Sequence, residues 1–70
     1  MADTWAKIQR LDWIDEMLNI YGFINRDHIR RKFWVSTPQA SIDLREYLRS
    51  NRGQNVKYNK TAKQYERAKG

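Results

Sequence analysis

Residues 33–48, FWVSTPQASIDLREYL, decide how this chain folds. A short helix ends at Phe33–Trp34, a turn of three or four residues follows, and Ser36 opens a second, longer helix. Ser36 is a good N-cap, and Pro38 is tolerated in a first turn because its missing N–H would have no partner there. Ala40, Leu44, Tyr47 and Leu48 recur at spacings of 4, 3 and 1, the buried stripe of a helix over about 37–50. Asn51-Arg52-Gly53 ends it. Two helices joined by a short turn are the grammar of a helix-turn-helix, whose second helix fits a DNA major groove.

Upstream, Asn25 caps a helix over about 26–33, with Ile24 and Ile29 at the two positions of a hydrophobic staple. Before that, Ile8, Leu11, Ile14, Leu18 and Tyr21 form one stripe of a helix over about 4–21, widened sideways by Trp13, Met17 and Ile20. Asp3 or Thr4 caps its start, and Gly22 suits a left-handed C-cap. Downstream the period changes. Val56 and Tyr58 alternate with Lys57 as a half-buried strand does, Asn59-Lys60-Thr61-Ala62 reads as a turn, and Lys63-Gln64-Tyr65-Glu66 returns. Residues 55–66 therefore form a hairpin, and Arg67–Gly70 a frayed tail. The expected fold is mainly α with a small β-hairpin: a single winged helix-turn-helix domain over residues 1–70, three helices plus a wing.

Seventy residues allow one domain at most, near the size limit for independent stability. Without cysteine there is no disulfide or thiolate metal site, and one histidine does not make a zinc site. His28 reads as a surface or capping residue. No apolar run approaches the ~20 residues of a membrane span. The N-terminus lacks the pattern of a signal peptide. A cytoplasmic location is the default. No cofactor is expected.

The net charge of +6 is unevenly placed. Residues 1–24 hold two basic side chains against four acidic ones, a balance of −2. Residues 25–70 hold twelve against four, a balance of +8. A basic half attracts polyanions through counterion release, although solvated lysines also simply aid solubility. Asp12, Asp15 and Glu16 read as a water-facing acidic helix side and not as catalytic groups. The chain is expected to be a binder of double-stranded DNA and not an enzyme.

Gln39 and Ser41 are the leading base-readers, with Thr37 beside them for a thymine methyl or a phosphate. Gln39 has a competing role. Ser36-Thr37-Pro38-Gln39 also fits a capping box, with the amide folded back onto the Ser36 N–H. Arg26, Arg30, Arg31 and Lys32 are phosphate candidates on the helix that crosses the backbone. Arg45 and Arg49 either reach phosphates or pair with Asp43 and Glu46. Lys57, Lys60 and Lys63 lie along the wing, for phosphates or to discourage strand addition. Trp5 and Trp13 either form a dimer surface or wrap the small core.

The stretch from about Leu11 to Tyr65 resembles the N-terminal winged helix-turn-helix of WYL-domain transcriptional regulators, close to the repressors found with phage-defence systems. Asn25-Arg26, Phe33, Ser36-Thr37-Pro38-Gln39-Ala40-Ser41, Asp43-Leu44, Val56-Lys57-Tyr58-Asn59 and Tyr65 carry the resemblance. It implies a repressor that binds operator DNA as a homodimer, with the third helix in the major groove. It also implies roles there for Ser36, Thr37, Gln39 and Ser41. Ser36 joins Arg26, Arg30, Arg31, Arg45, Lys57, Lys60 and Lys63 among the phosphate-binding candidates. The setting it implies is a bacterial or phage-infected cell. No WYL sensor follows in this sequence, so the chain reads either as an excised domain with a missing C-terminal effector domain or as a free-standing small regulator of a phage or mobile element, and a protein partner is a further expectation. Winged helices serve also as protein-interaction adaptors and as architectural or recombination accessories, the two rival readings. Members of the family usually carry glycine where this chain has Trp34, and a bulky residue argues against a positive φ at that turn.

Overall fold

The computed structural model describes residues 3–68. Helix α1 spans Asp3–Ile20, strand β1 Phe23–Ile24, α2 Arg26–Phe33 and α3 Thr37–Arg49. A single 3-10 turn at Asn51–Gly53 leads to β2 at Val56–Asn59 and β3 at Gln64–Arg67. The three helices and the hairpin of the expected winged helix are all present. The cap expected from Asp3 or Thr4 lies outside the described side chains, as do residues 69–70 of the tail.

The local signals act where they were read. Gly22 takes φ +84 just after α1, and its N–H donates to Met17 O at 3.2 Å. Asn25 Oδ1 accepts from His28 N at 2.9 Å, and His28 Nδ1 accepts from Asn25 N at 3.3 Å. His28 thus completes a reciprocal capping box, the role glutamate or glutamine usually plays. Ser36 Oγ accepts from Gln39 N at 3.2 Å, so α3 is capped as expected.

Ile14, Leu18, Ile24, Ile29, Ala40, Leu44 and Tyr47 form the buried core. The α1 stripe is narrower than its periodicity implies. Ile8, Ile20 and Tyr21 are exposed, and only Ile14 and Leu18 are fully buried. The reason is length. At ~1.5 Å per residue α1 is about 27 Å long, against about 12 Å for α2 and about 20 Å for α3, so its ends overhang. Trp13 meets Phe33 edge to face at 5.6 Å, closing the seam between α1 and α2.

The wing is larger than a hairpin. β3 is the centre of an antiparallel sheet of order β1-β3-β2, pairing Ile24 with Tyr65 on one side and Tyr58 with Tyr65 on the other. Two strands alone are marginal, and β1 ties the hairpin to the helices. Arg67 is not part of a frayed tail. It ends β3, and its N–H donates to Gly22 O at 3.0 Å. Its guanidinium donates to the Tyr47 hydroxyl and to Arg52 O at 2.7 Å. At the hairpin tip Asn59 Oδ1 accepts from Thr61 N and Ala62 N, each at 3.0 Å, an Asx turn. Lys63, expected to open the return strand, instead completes the turn at φ 56.

The crowded exit of α3 requires Gly53. A Cβ there would stand 2.5 Å from Leu48 O and 2.6 Å from Tyr47 O.

Candidate nucleic-acid interface

Helix α3 has two unlike faces. Ala40, Asp43, Leu44 and Tyr47 are buried. Pro38, Ile42, Arg45 and Arg49, spaced as one side of a helix, are exposed. Asp43 is a fully buried carboxylate in this otherwise apolar strip. Arg10 holds it through Nε at 2.6 Å and Nη2 at 3.4 Å, and Gln39 Nε2 donates to it at 3.0 Å. A buried charge is tolerated only when paired and hydrogen-bonded, and here a residue of α1 supplies the partner. The pair fixes how α3 sits across α1.

Gln39 therefore does not form the expected capping box in the free protein. Its amide does not fold back onto the Ser36 N–H, and it does not project freely; it lies half-buried against Asp43. The other two expected base-readers are also engaged. Ser41 Oγ accepts from Arg26 Nη1 at 3.4 Å, and Thr37 Oγ1 from Arg30 Nη1 at 3.2 Å. These two contacts lash exposed arginines of α2 to the first turns of α3.

The acidic groups are drawn away from this face. Asp43 is taken by Arg10 and Glu46 by Lys7, both from α1. Arg45 and Arg49 thus do not pair with Asp43 or Glu46. Asp12 and Asp15, expected to face water alone, receive Arg52 at 2.9 and 3.8 Å, and Arg67 lies 3.6 Å from Asp15. Tyr47 donates its hydroxyl to Asp15. Burial and then this hydrogen bond push the Tyr47 pKa up from its ordinary value. The network closes the side of the molecule away from the outer face of α3. Among the described residues, no ion pair involves Arg26, Arg31, Lys32, Arg45, Arg49, Lys57, Lys60 or Lys63. Arg30 has only a 3.9 Å contact with Asp27. Ser36, Arg31 and the three wing lysines are exposed. Arg26, Ser41, Arg45 and Tyr58 line a groove between α3 and the wing.

The turn before α3 departs from expectation. Trp34 adopts φ 56, ψ 40, the left-handed conformation that its bulk argued against, and is 93% exposed. Helix α2 ends there in an αL cap, with Trp34 N donating to Arg30 O at 2.8 Å. The turn keeps the shape that glycine would give it, at a cost of roughly 1–2 kcal/mol for a residue with a Cβ.

Trp13 packs on Phe33 at the core margin, whereas Trp5 is 70% exposed on α1. Ile8, one turn along, is also exposed. The two tryptophans thus have different environments.

The described residues contain no group of three or more histidine, cysteine or acidic side chains placed to hold a metal, and no helix long and apolar enough to cross a membrane.

The family model for the BrxR transcriptional regulator winged helix-turn-helix domain matches residues 6–70. The chain belongs to that family. This bears out the resemblance carried by the Ser36–Ser41 segment and the wing. Among curated proteins, the DNA-binding transcriptional repressor CapW of Escherichia coli (strain KTE188) is 37% identical over 65 residues, 93% of this chain and 21% of the relative. CapW of Pseudomonas aeruginosa is 38% identical over 61 residues, 87% of this chain and 20% of the relative. CapW of Stenotrophomonas maltophilia is 44% identical over 43 residues, 61% of this chain and 14% of the relative. The chain spans about a fifth of the length of the first two.

Proposed function

We propose that this chain is a sequence-specific binder of double-stranded DNA that represses transcription as a homodimer. The observation that carries the reading is the charge arrangement around α3. The two acidic side chains of α3, Asp43 and Glu46, are paired from α1, while among the described cations of α2, the outer face of α3 and the wing only Arg30 has a carboxylate contact, at 3.9 Å to Asp27. Membership of a family of transcriptional regulators and the CapW names support the same reading.

In the proposed complex α3 enters the major groove. Arg26, Arg30, Arg31, Ser36, Arg45, Lys57, Lys60 and Lys63 meet phosphates, which position the protein without reading sequence. Arg26 and Arg30 exchange their contacts with Ser41 and Thr37 for phosphates. That exchange releases two hydroxyls to base edges as binding occurs. Gln39 reads a base with the lone pairs and the N–H that Asp43 leaves unused. A dimer formed through α1 around Trp5 and the open edge of Trp13 sets two recognition helices about 34 Å apart, matching half-sites one helical turn apart.

Selection of bound sequences from a random duplex pool tests this. A palindrome with half-sites one turn apart is the expected result. Equal recovery of all sequences would mean architectural binding, and no retention at modest salt would mean a protein-interaction adaptor.

A further inference from the structure

Ile42 has no structural reason to be where it is. It sits at the centre of the outer face of α3, between Pro38 one turn earlier and Arg45 and Arg49 further along. It is 43% exposed, whereas the core side of the helix is already filled by Ala40, Leu44 and Tyr47. A β-branched side chain is a mildly poor helix former, and Ile42 is not among the apolar residues packed on the core. The polar candidates beside it, Thr37, Gln39 and Ser41, each hold an intramolecular hydrogen bond. Ile42 therefore presents an exposed apolar group to whatever α3 meets.

In a major groove the apolar group available to such a tip is the C5-methyl of thymine, or that of 5-methylcytosine. We propose that Ile42 is a specificity-determining residue that packs on a pyrimidine C5-methyl, so that each half-site carries thymine opposite the second turn of α3. The inference rests on the DNA-binding reading above and adds to it the chemistry of one base contact. Pro38, on the same ridge, extends the apolar strip toward the helix start. Arg45, three residues on, holds the adjoining backbone.

The experiment uses the full 70-residue chain and the duplex selected from the random pool. Each thymine is replaced singly by deoxyuridine, which removes only the methyl. Burial of one methyl predicts about fourfold weaker binding, at ~0.8 kcal/mol per carbon. The wild type should show that loss at one position per half-site, and Ile42→Ala should be indifferent to uracil there. Ile42→Val retains a shortened branched tip. It should keep part of the uracil effect, and it carries the test if the alanine variant is poorly folded by thermal melting. Replacing that thymine by 5-methylcytosine opposite guanine should retain more affinity than replacing it by cytosine. Indifference of the wild type to uracil at every position would overturn the proposal, and so would an unchanged uracil effect in Ile42→Ala. Either result leaves the DNA-binding reading standing, because a sequence was selected. If no sequence is enriched, both fall together.

Discussion

Removing Arg10 should cost the domain a third or more of its stability, and removing Asp43 with it should restore most of the loss. Asp43 is fully buried, and the Arg10 side chain is only 13% exposed. Arg10→Met leaves the carboxylate in the core with a single neutral donor, Gln39. Breaking a buried pair from one side costs ~3–5 kcal/mol, because the remaining charge has lost its compensation. A 70-residue domain has about 3.5–10 kcal/mol in all, at roughly 0.05–0.15 kcal/mol per residue. The single substitution therefore removes between a third and all of the stability. Asp43→Leu alone should cost less, since the Arg10 head can bend toward water on its flexible stem. Arg10→Met with Asp43→Leu places apolar groups in both sites and should return to within about 1–2 kcal/mol of the wild type. Urea unfolding followed by tryptophan fluorescence measures all four proteins, with Trp13 against Phe33 as the reporter of the α1–α2 seam. A double variant no more stable than Arg10→Met would refute the argument that uncompensated charge, and not lost packing, is what destabilises.

Further outcomes follow from the same geometry. Burial and the Asp15 hydrogen bond raise the Tyr47 pKa, so the folded state holds this proton more tightly than the unfolded chain. The stability it contributes is complete below the ordinary tyrosine value of about 10 and is lost as pH rises above it. Tyr47→Phe should be less stable at pH 7 and should show a shallower alkaline decline in urea titrations between pH 9 and 11, a range set by that value. Trp34→Gly should raise the melting midpoint, relieving roughly 1 kcal/mol of left-handed strain while losing little packing from a side chain 93% exposed; a lower midpoint would mean the indole has a contact partner in solution. Lys60→Ala should weaken binding to all duplexes alike and reduce the salt slope by about 0.9, one phosphate contact. An unchanged slope by fluorescence anisotropy would show that the wing tip does not touch DNA.

The extents of α2 and α3 and the cap residues Asn25 and Ser36 were legible in the chain, because each rests on bonds within four residues. His28 shows how far such reading goes. Its reciprocal bond to Asn25 is local, yet histidine at that position is an uncommon substitute for glutamate, so the residue read only as a surface or capping group. β1 had no signal, since two residues display no period and Phe23–Ile24 becomes a strand only when β3 lies beside it. Arg67 looked like tail for the same reason. Its partners are Tyr47, Arg52 and the Gly22 carbonyl, 15 to 45 residues away in sequence. A search for apolar residues on the polar side of the α3 wheel would have found Ile42 from sequence alone.

By itself the sequence determined that there are three helices and a wing, where α3 begins, and that the basic charge lies beyond residue 24. These follow from periodicity, capping and composition, which are properties of neighbours along the chain. Which carboxylate meets which cation was decided only by the tertiary structure. Arg10 reaches Asp43 across 33 residues, Lys7 reaches Glu46, and Arg52 reaches Asp12. Those pairings withdraw the acids from the outer face of α3, engage Gln39 on the inner side and leave Ile42 exposed on the outer face. Charge pairing depends on distance in space, and the close approach of α1 to α3 sets that distance.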